Sequence, residues 1–449
     1  MKRILILVAL LAILASCKKS NVEVFDKKPE ERLSISVSEA KTTLLSAQNG
    51  WIATLPTSAG GGYGFYMSFD AAENVKMLGD LNAAAISTSA TSTYRLKAVL
   101  GTELIFDTFN YISLLVDPVP GVFGGAAGSG YKSDIEFLFT KSTADTLVLT
   151  GKKYGQVMKM VKATAAQKTA YENGGYKTAI DKFKDFFTAT KNPYIEYTAG
   201  NTQLKVGLSL DFNNTLATGK RVSFAGPLAD GKISTAVGKF GLTINGADIL
   251  GAPLVYQGIT FTKFVWKDAA TLILIDSNGK EYIIKSNPIP LIEFKTVFAY
   301  NGTYNGIMIT GSVLPAGITS GWNTLWSAQI ANYALNNVTM ESMQFRLINA
   351  TTAKLEVWFV SGTTRYLADA SYTYTIVDDV ITLSNYIPSV SNTNWNNGWV
   401  TTAIKNYFTT SPSFKMDWVP SSDPTVSNIG GLYKVSDPSN FYYGRMIKN

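Results

Sequence analysis

Apolar residues that return at every second position, in short runs, constrain the fold of this 449-residue chain more than any other feature. Phe65, Met67 and Phe69 alternate with Tyr66 and Ser68, and Val206, Leu208 and Leu210 alternate as cleanly. A period of two turns one face of an extended strand toward a core and the other toward water. Further strand runs fall at 75–78, 94–99, 103–107, 135–139, 147–149 and 157–161, separated by Gly, Pro and Ser clusters. Seven or eight strands before residue 165 are compatible with a small barrel or a sandwich. Asn278-Gly279, between runs at 271–275 and 281–285, is the strongest hairpin signal. Runs at 354–360, 363–367, 372–377 and 380–383 read as a meander, with turns at Ser361-Gly362 and Asp378-Asp379. The chain carries no fixed-period repeat of the propeller or solenoid kind. The expected class is mainly β, with two or three antiparallel barrel or sandwich domains and short helices.

Helical spacing breaks this pattern twice. Leu33, Val37, Ala40, Leu44 and Ala47 form one stripe that starts at Pro29 and stops at Asn49-Gly50. A weaker helical region, interrupted at Gly174-Gly175, carries Ile180, Phe183 and Phe187 on one side and ends at Lys191-Asn192-Pro193. Asn287-Pro288-Ile289-Pro290 marks another boundary. The organisation read from these breaks is a signal peptide at 1–16 and a tether at 17–28. A helix plus β domain follows at 29–165, then a helical connector at 166–193. A second β domain at 194–296 and a Trp-rich β domain at 297–449 complete the chain.

Cys17 is the sole cysteine, and it closes Leu14-Ala15-Ser16-Cys17 behind Lys2, Arg3 and an apolar stretch over 4–15. That stretch is shorter than the ~20 residues a spanning helix needs. The small residues Ala15 and Ser16, with Leu14, form the recognition site of a lipoprotein signal peptidase. Cys17 is then the lipidated N-terminus of a protein anchored to a membrane by several acyl chains, palmitate among them. With its one thiol acylated, the chain has no disulfide and no thiolate nucleophile. It also has no histidine, which removes Ser-His-Asp and Cys-His catalysis and His-based zinc sites. No cofactor or metal is expected, and the only enzyme class left standing is one that works through carboxylates, or serine with lysine.

The formal charge is +7, and Lys2 and Arg3 leave with the signal, while Lys18 and Lys19 remain beside the lipid. Lys152, Lys153, Lys159, Lys162 and Lys168 form a second basic cluster. It reads first as lysine placed to discourage strand pairing, and second as a polyanion-binding strip. No nucleic-acid partner is expected.

Residues 125–133 imitate a phosphate-binding loop, but Tyr131 displaces Lys132 by one position and a strand follows where a helix should. The segment reads as a surface loop. Asp134 and Glu136 lie on one strand face, where they are either a carboxylate pair or simply solvated. Six of the eight tryptophans (Trp322, Trp326, Trp358, Trp395, Trp399 and Trp418) fall in the last domain. Trp395, Asn396, Asn397 and Trp399 lie close together and form the candidate ligand contact for a glycan or peptide; the alternative is a loop that caps the core. Trp358, within a strand run, reads as core.

Phe25-Asp26-Lys27-Lys28-Pro29-Glu30-Glu31-Arg32, Asn49-Gly50-Trp51 and Gly61-Gly62-Tyr63-Gly64-Phe65-Tyr66-Met67 carry a resemblance. Phe106-Asp107-Thr108-Phe109 and Ser133-Asp134-Ile135-Glu136-Phe137 extend it. The chain resembles Bacteroidota lipoproteins grouped as a domain of unknown function and encoded near SusC/SusD-type import systems, mainly over residues 20–165. The resemblance implies outer-membrane placement and an accessory part in nutrient capture, with an importer complex as partner. The tether begins with lysines and lacks the acidic run linked to surface export, which leaves the periplasmic and cell-surface faces both open. Two other readings are a carboxylate-dependent hydrolase and a fimbrial or adhesin subunit. Arg32, inside the first helix, is a poor site for the trimming that fimbrial assembly needs.

Overall fold

The computed structural model describes residues 27–98, 101–390, 393–410 and 412–449. Alternating sequence builds three successive antiparallel meanders. The first comprises β1 (Trp51–Pro56), β2 (Gly62–Phe69), β3 (Asn74–Gly79), β4 (Ala90–Ala98), β5 (Thr102–Phe106), β6 (Glu136–Ser142), β7 (Thr146–Gly151) and β8 (Val157–Lys162). It is a closed barrel, sealed where β1 pairs with β8 from Trp51↔Lys162 to Thr54↔Lys159. Trp51, Ala53 and Leu55 of β1 and Met158 and Met160 of β8 point inward and are buried. The long connection between β5 and β6 adds Ile112, Leu115, Phe123 and Tyr131 to the same core. Tyr131 thereby anchors the glycine-rich segment in the interior, so that segment is pinned and is not the free surface loop expected from its composition.

The helix Pro29–Leu45 precedes this barrel and lies on β4 and β5, across the barrel from the β1–β8 seam. Leu44 enters the core; the helix ends at Leu45, short of the Asn49-Gly50 stop expected from the sequence, and Gly50, with φ +79°, turns the chain into β1.

The second meander runs through β9 (Tyr194–Ala199), β10 (Thr202–Asp211), β11 (Arg221–Pro227), β12 (Ile233–Thr243) and β13 (Gly246–Leu250). It continues through β14 (Leu254–Tyr256), β15 (Ile259–Trp266), β16 (Leu272–Asp276) and β17 (Glu281–Ile283). Asn278-Gly279 forms the β16–β17 turn as its sequence predicts, with Gly279 at φ +80°. The two ends of this sheet meet in one antiparallel bridge, Tyr194↔Lys285, with N–H···O distances of 2.9 and 2.8 Å. The helices Ala165–Glu172 and Gly175–Ala189 lead into it, and Ile180 and Phe183 fill its core beside Phe264.

The third meander is again a closed eight-stranded barrel: β18 (Gly306–Thr310), β19 (Val338–Leu347), β20 (Thr352–Ser361), β21 (Thr364–Val377), β22 (Val380–Pro388), β23 (Ser413–Trp418), β24 (Ile429–Lys434) and β25 (Asp437–Ile447). The helices Gly321–Leu335 and Gly398–Thr409 contribute Trp322, Trp326, Ile404, Tyr407 and Phe408 to its core. An eight-stranded barrel has an interior just wide enough for side chains, and the first and third are filled in that way, while the nine-stranded second sheet wraps a packed core of its own.

Trp358 corrects an expectation. Leu355, Val357 and Phe359 take the inward parity of β20, so Trp358 falls on the outer face, where the Arg365 guanidinium lies 3.7 Å from its ring centre. The mainly β class with antiparallel barrels is as the alternation predicts.

The first two barrels are joined by backbone-to-backbone contact between β2 and β12. A Cβ on Gly64 would stand 1.8 Å from the Leu242 carbonyl oxygen, and one on Gly241 would meet Tyr63 backbone at 2.8 Å. Glycine inside a strand marks such an approach. One carboxylate locks the junction. Asp80 Oδ1 accepts the Gly64 N–H at 3.0 Å, while Oδ2 accepts the Leu242 N–H at 2.7 Å and Lys220 Nζ at 2.6 Å. Both side chains are fully enclosed, at 0% and 2% exposure, and burial pulls the Lys220 ammonium below its ordinary pKa. The Tyr176 hydroxyl donates to the Leu242 carbonyl at 2.8 Å, with the Gly64 carbonyl 3.1 Å away.

Removing one partner of a buried pair strands the other charge without water. Asp80→Ala is therefore expected to destabilise the chain by about 3–5 kcal/mol in urea unfolding. Asp80→Leu combined with Lys220→Met should recover the part of that loss due to the stranded ammonium, with the Gly64 and Leu242 N–H groups still unsatisfied; a double variant no more stable than the single one would show that the stranded charge is not the cause.

Candidate functional site

Filled barrel interiors direct attention to the spaces between barrels. Where β1 and β8 face the second sheet, a cleft of about 1280 Å³ opens, lined also by β13, β15 and the helix Gly175–Ala189. Its walls are the outward parity of strands whose inward parity builds the cores. From β8 come Val157, Lys159 and Val161, the two valines 44% and 38% exposed. From β1 come Ile52 and Thr54, and from β15 Lys263, Val265 and Trp266. Gln156, Gln167 and Asn245 add amide groups.

Lys159, Lys182 and Lys263 converge on this space from β8, the helix Gly175–Ala189 and β15, while Lys162 borders it at the end of β8 with its side chain on the inward face beside Trp51. Lys182 lies 3.7 Å from the Trp266 ring centre, and Lys162 5.9 Å from that of Trp51. Among the described residues, none of the four has an ion-pair partner within 4 Å. Asp248 is the one carboxylate in the lining, opposite Lys263 in the β13–β15 register. Burial raises its pKa, and the charges of Lys159 and Lys263 pull it down by less.

The sequence-derived candidates fall elsewhere. Leu14, Ala15, Ser16 and Cys17, with Lys18 and Lys19, lie outside the described residues. Trp395 is 1% exposed, part of the third barrel's core, and its indole N–H donates to the Tyr386 hydroxyl. Trp399 is half-buried, edge-on to Tyr333 at 5.8 Å, and its carbonyl accepts from Gln329 and Asn332 at 3.0 and 2.7 Å. Asn396 and Asn397 are exposed at the start of the helix Gly398–Thr409. Trp322, Trp326 and Trp418 are buried as well, so the tryptophan density of this domain is mostly core material.

The acidic candidates are occupied by structure. Asp134 is buried and accepts the backbone N–H groups of Lys153 (2.7 Å) and Tyr154 (3.1 Å), which holds the β7–β8 turn. Glu136 and the buried Glu103 share Lys152, each at 3.0 Å. Glu356 and Asp369 face each other across β20 and β21, but Lys354 bridges them and Arg346 holds Glu356 at 2.6 Å. Neither lines the cleft.

Of the basic cluster singled out in the sequence, Lys159 reaches the cleft and Lys162 borders it, whereas Lys152 and Lys153 do not. Lys182, Lys263, Asp248 and the Asp80–Lys220 lock had no local signal. The glycine-dense Gly61-Gly62-Tyr63-Gly64 strand was the one available clue that another backbone comes close.

Residues 21–268 match a family described as a domain of unknown function (DUF4302). The matched segment passes residue 165 and ends just after β15, so every residue lining the cleft lies inside it. No curated protein matches the sequence.

Two outcomes follow from this geometry. A carboxyl whose pKa rises on folding costs stability above its folded value, and nothing once pH drops below the unfolded value of about 3.9. Asp248→Asn should thus raise the thermal midpoint at pH 7, with the gain vanishing by about pH 3.5; an equal gain at both would remove the electrostatic cause. Trp395→Ala should cost about 3–5 kcal/mol of stability in chemical unfolding, as a core cavity does. A folded variant of unchanged midpoint would contradict that placement.

Proposed function

This chain belongs to the DUF4302 family of unknown function, and on that footing we propose that it is a membrane-anchored lipoprotein that captures a ligand. Its place is the outer membrane of a Bacteroidota cell, as a non-enzymatic accessory to an import complex. The ligand is a glycan or peptide held in the inter-barrel cleft. One observation carries the capture reading: the open cleft is built wholly from the family segment, while the barrel interiors are packed. Trp399, Asn396 and Asn397 offer a second, smaller contact surface on the third barrel, with Trp395 as the support beneath it. Among the described residues no helix is long and apolar enough to cross a membrane, so the proposed attachment is the acylated Cys17.

The carboxylate-hydrolase alternative finds no support in the cleft. Both glycosidase geometries need two carboxyl groups flanking the bond, within about 10 Å of each other, and Asp248 stands alone in the lining.

The test of anchoring is radiolabelled palmitate with the intact gene product. The wild-type chain should take up label and require detergent for extraction, and Cys17→Ser should lose the label and the membrane fraction together. Recovery of unlabelled wild-type protein without detergent would overturn the anchor. Retention on glycan and peptide arrays tests capture separately.

A further inference from the structure

Resting on the capture reading, the cleft itself specifies a ligand chemistry. We propose that it binds an acidic polysaccharide, with the uronate carboxylates held between Lys159 on one wall and Lys263 on the other. Three observations combine. Three lysines, Lys159, Lys182 and Lys263, meet one carboxylate, so the lining carries excess positive charge, and these lysines have no ion-pair partners within 4 Å among the described residues. They project from separate elements across a space of about 1280 Å³, which exceeds the usual small-ligand pocket and suits several anionic groups in series. The surface between them alternates β-branched apolar groups (Val157, Val161, Val265) with amide and hydroxyl groups (Thr54, Gln167, Asn245). Sugar rings present the same alternation of C–H faces and hydroxyls.

Strand pairing argues for a glycan over an acidic peptide. An extended peptide gains its affinity by adding to an open sheet edge. Here β1 is paired on both sides by β2 and β8, and β8 by β7 and β1. On the opposite wall β13 lies between β12 and β15, while β15 has β13 and β14 on one side and β16 on the other. A peptide backbone entering the cleft would leave its amides unpaired, whereas a polysaccharide needs only side-chain partners and charge. Asp248, cross-strand from Lys263 and within the field of Lys159, is placed to accept a ring hydroxyl.

The experiment is calorimetric titration of the detergent-solubilised full chain with oligogalacturonate, maltooligosaccharide and poly-L-glutamate. Oligogalacturonate should bind, more weakly as salt is raised, because exposed charges are screened. The Lys159→Gln, Lys263→Gln double variant should bind at least about tenfold more weakly, the scale of two partly desolvated charge pairs. Both lysines are exposed, so the variant should keep a cooperative thermal transition and a wild-type circular dichroism spectrum. Poly-L-glutamate bound equally well would overturn the polysaccharide assignment. Maltooligosaccharide bound equally well, or a double variant of unchanged affinity, would overturn the anionic chemistry and leave capture intact. Binding to none of the three, with no retention on arrays, would bring down both.

Discussion

A single buried carboxylate holds the first half of this molecule together. Asp80 gathers an N–H from β2, an N–H from β12 and the ammonium of Lys220, so it satisfies groups from both barrels at once. An ion pair taken out of water is weak support for stability in itself, because desolvation offsets most of the attraction. Its value here is positional. With glycine at 64 and 241, the two sheets could slide along each other; a charge that only one register can satisfy forbids it. The cleft exists because that register is fixed: it is the space left where β1 and β8 diverge from β13 and β15, on the same interface that the pair locks.

How much of this was legible in the sequence depended on range. Period-two runs announce strands because burial parity is local, and Phe65, Met67 and Leu208 behave as their spacing requires. The Asn278-Gly279 turn is equally local. Trp358 shows the weakness of reading residue type ahead of parity: a large aromatic reads as core until Val357 and Phe359 are seen to own the inward face. Trp395 shows another. Its polar neighbours point to a contact loop, yet helix and 3-10 geometry turn the indole inward and leave Asn396 and Asn397 outside. Asp80, Lys220, Asp248 and Lys263 are isolated charges in ordinary strand or turn settings. Lys220 stands 140 residues from Asp80, and Lys159 reaches Asp248 from the first barrel, so packing of the barrel on the second sheet brings them together; Lys263 meets Asp248 by local strand register.

The three meanders share one plan: a run of hairpins whose first and last strands meet, with helices delivering aromatic side chains to the core. This plan leaves the interior to packing and assigns recognition to outer faces. The helix Pro29–Leu45 covers the β4–β5 side of the first barrel, opposite the seam. The cleft therefore opens on the side of the first barrel away from that helix.

Seam closure also dictates the order in which the molecule can mature. As the polypeptide emerges from synthesis or export, Trp51 must wait for Lys162 before β1 finds its second neighbour. The glycine face of β2 must wait longer, until Leu242 arrives to cover it. Such distant pairings form slowly, because loop closure must precede the contacts that reward it. For that interval the newborn first barrel carries an uncovered strip of backbone beside an acid still in water, the state most open to wrong pairing.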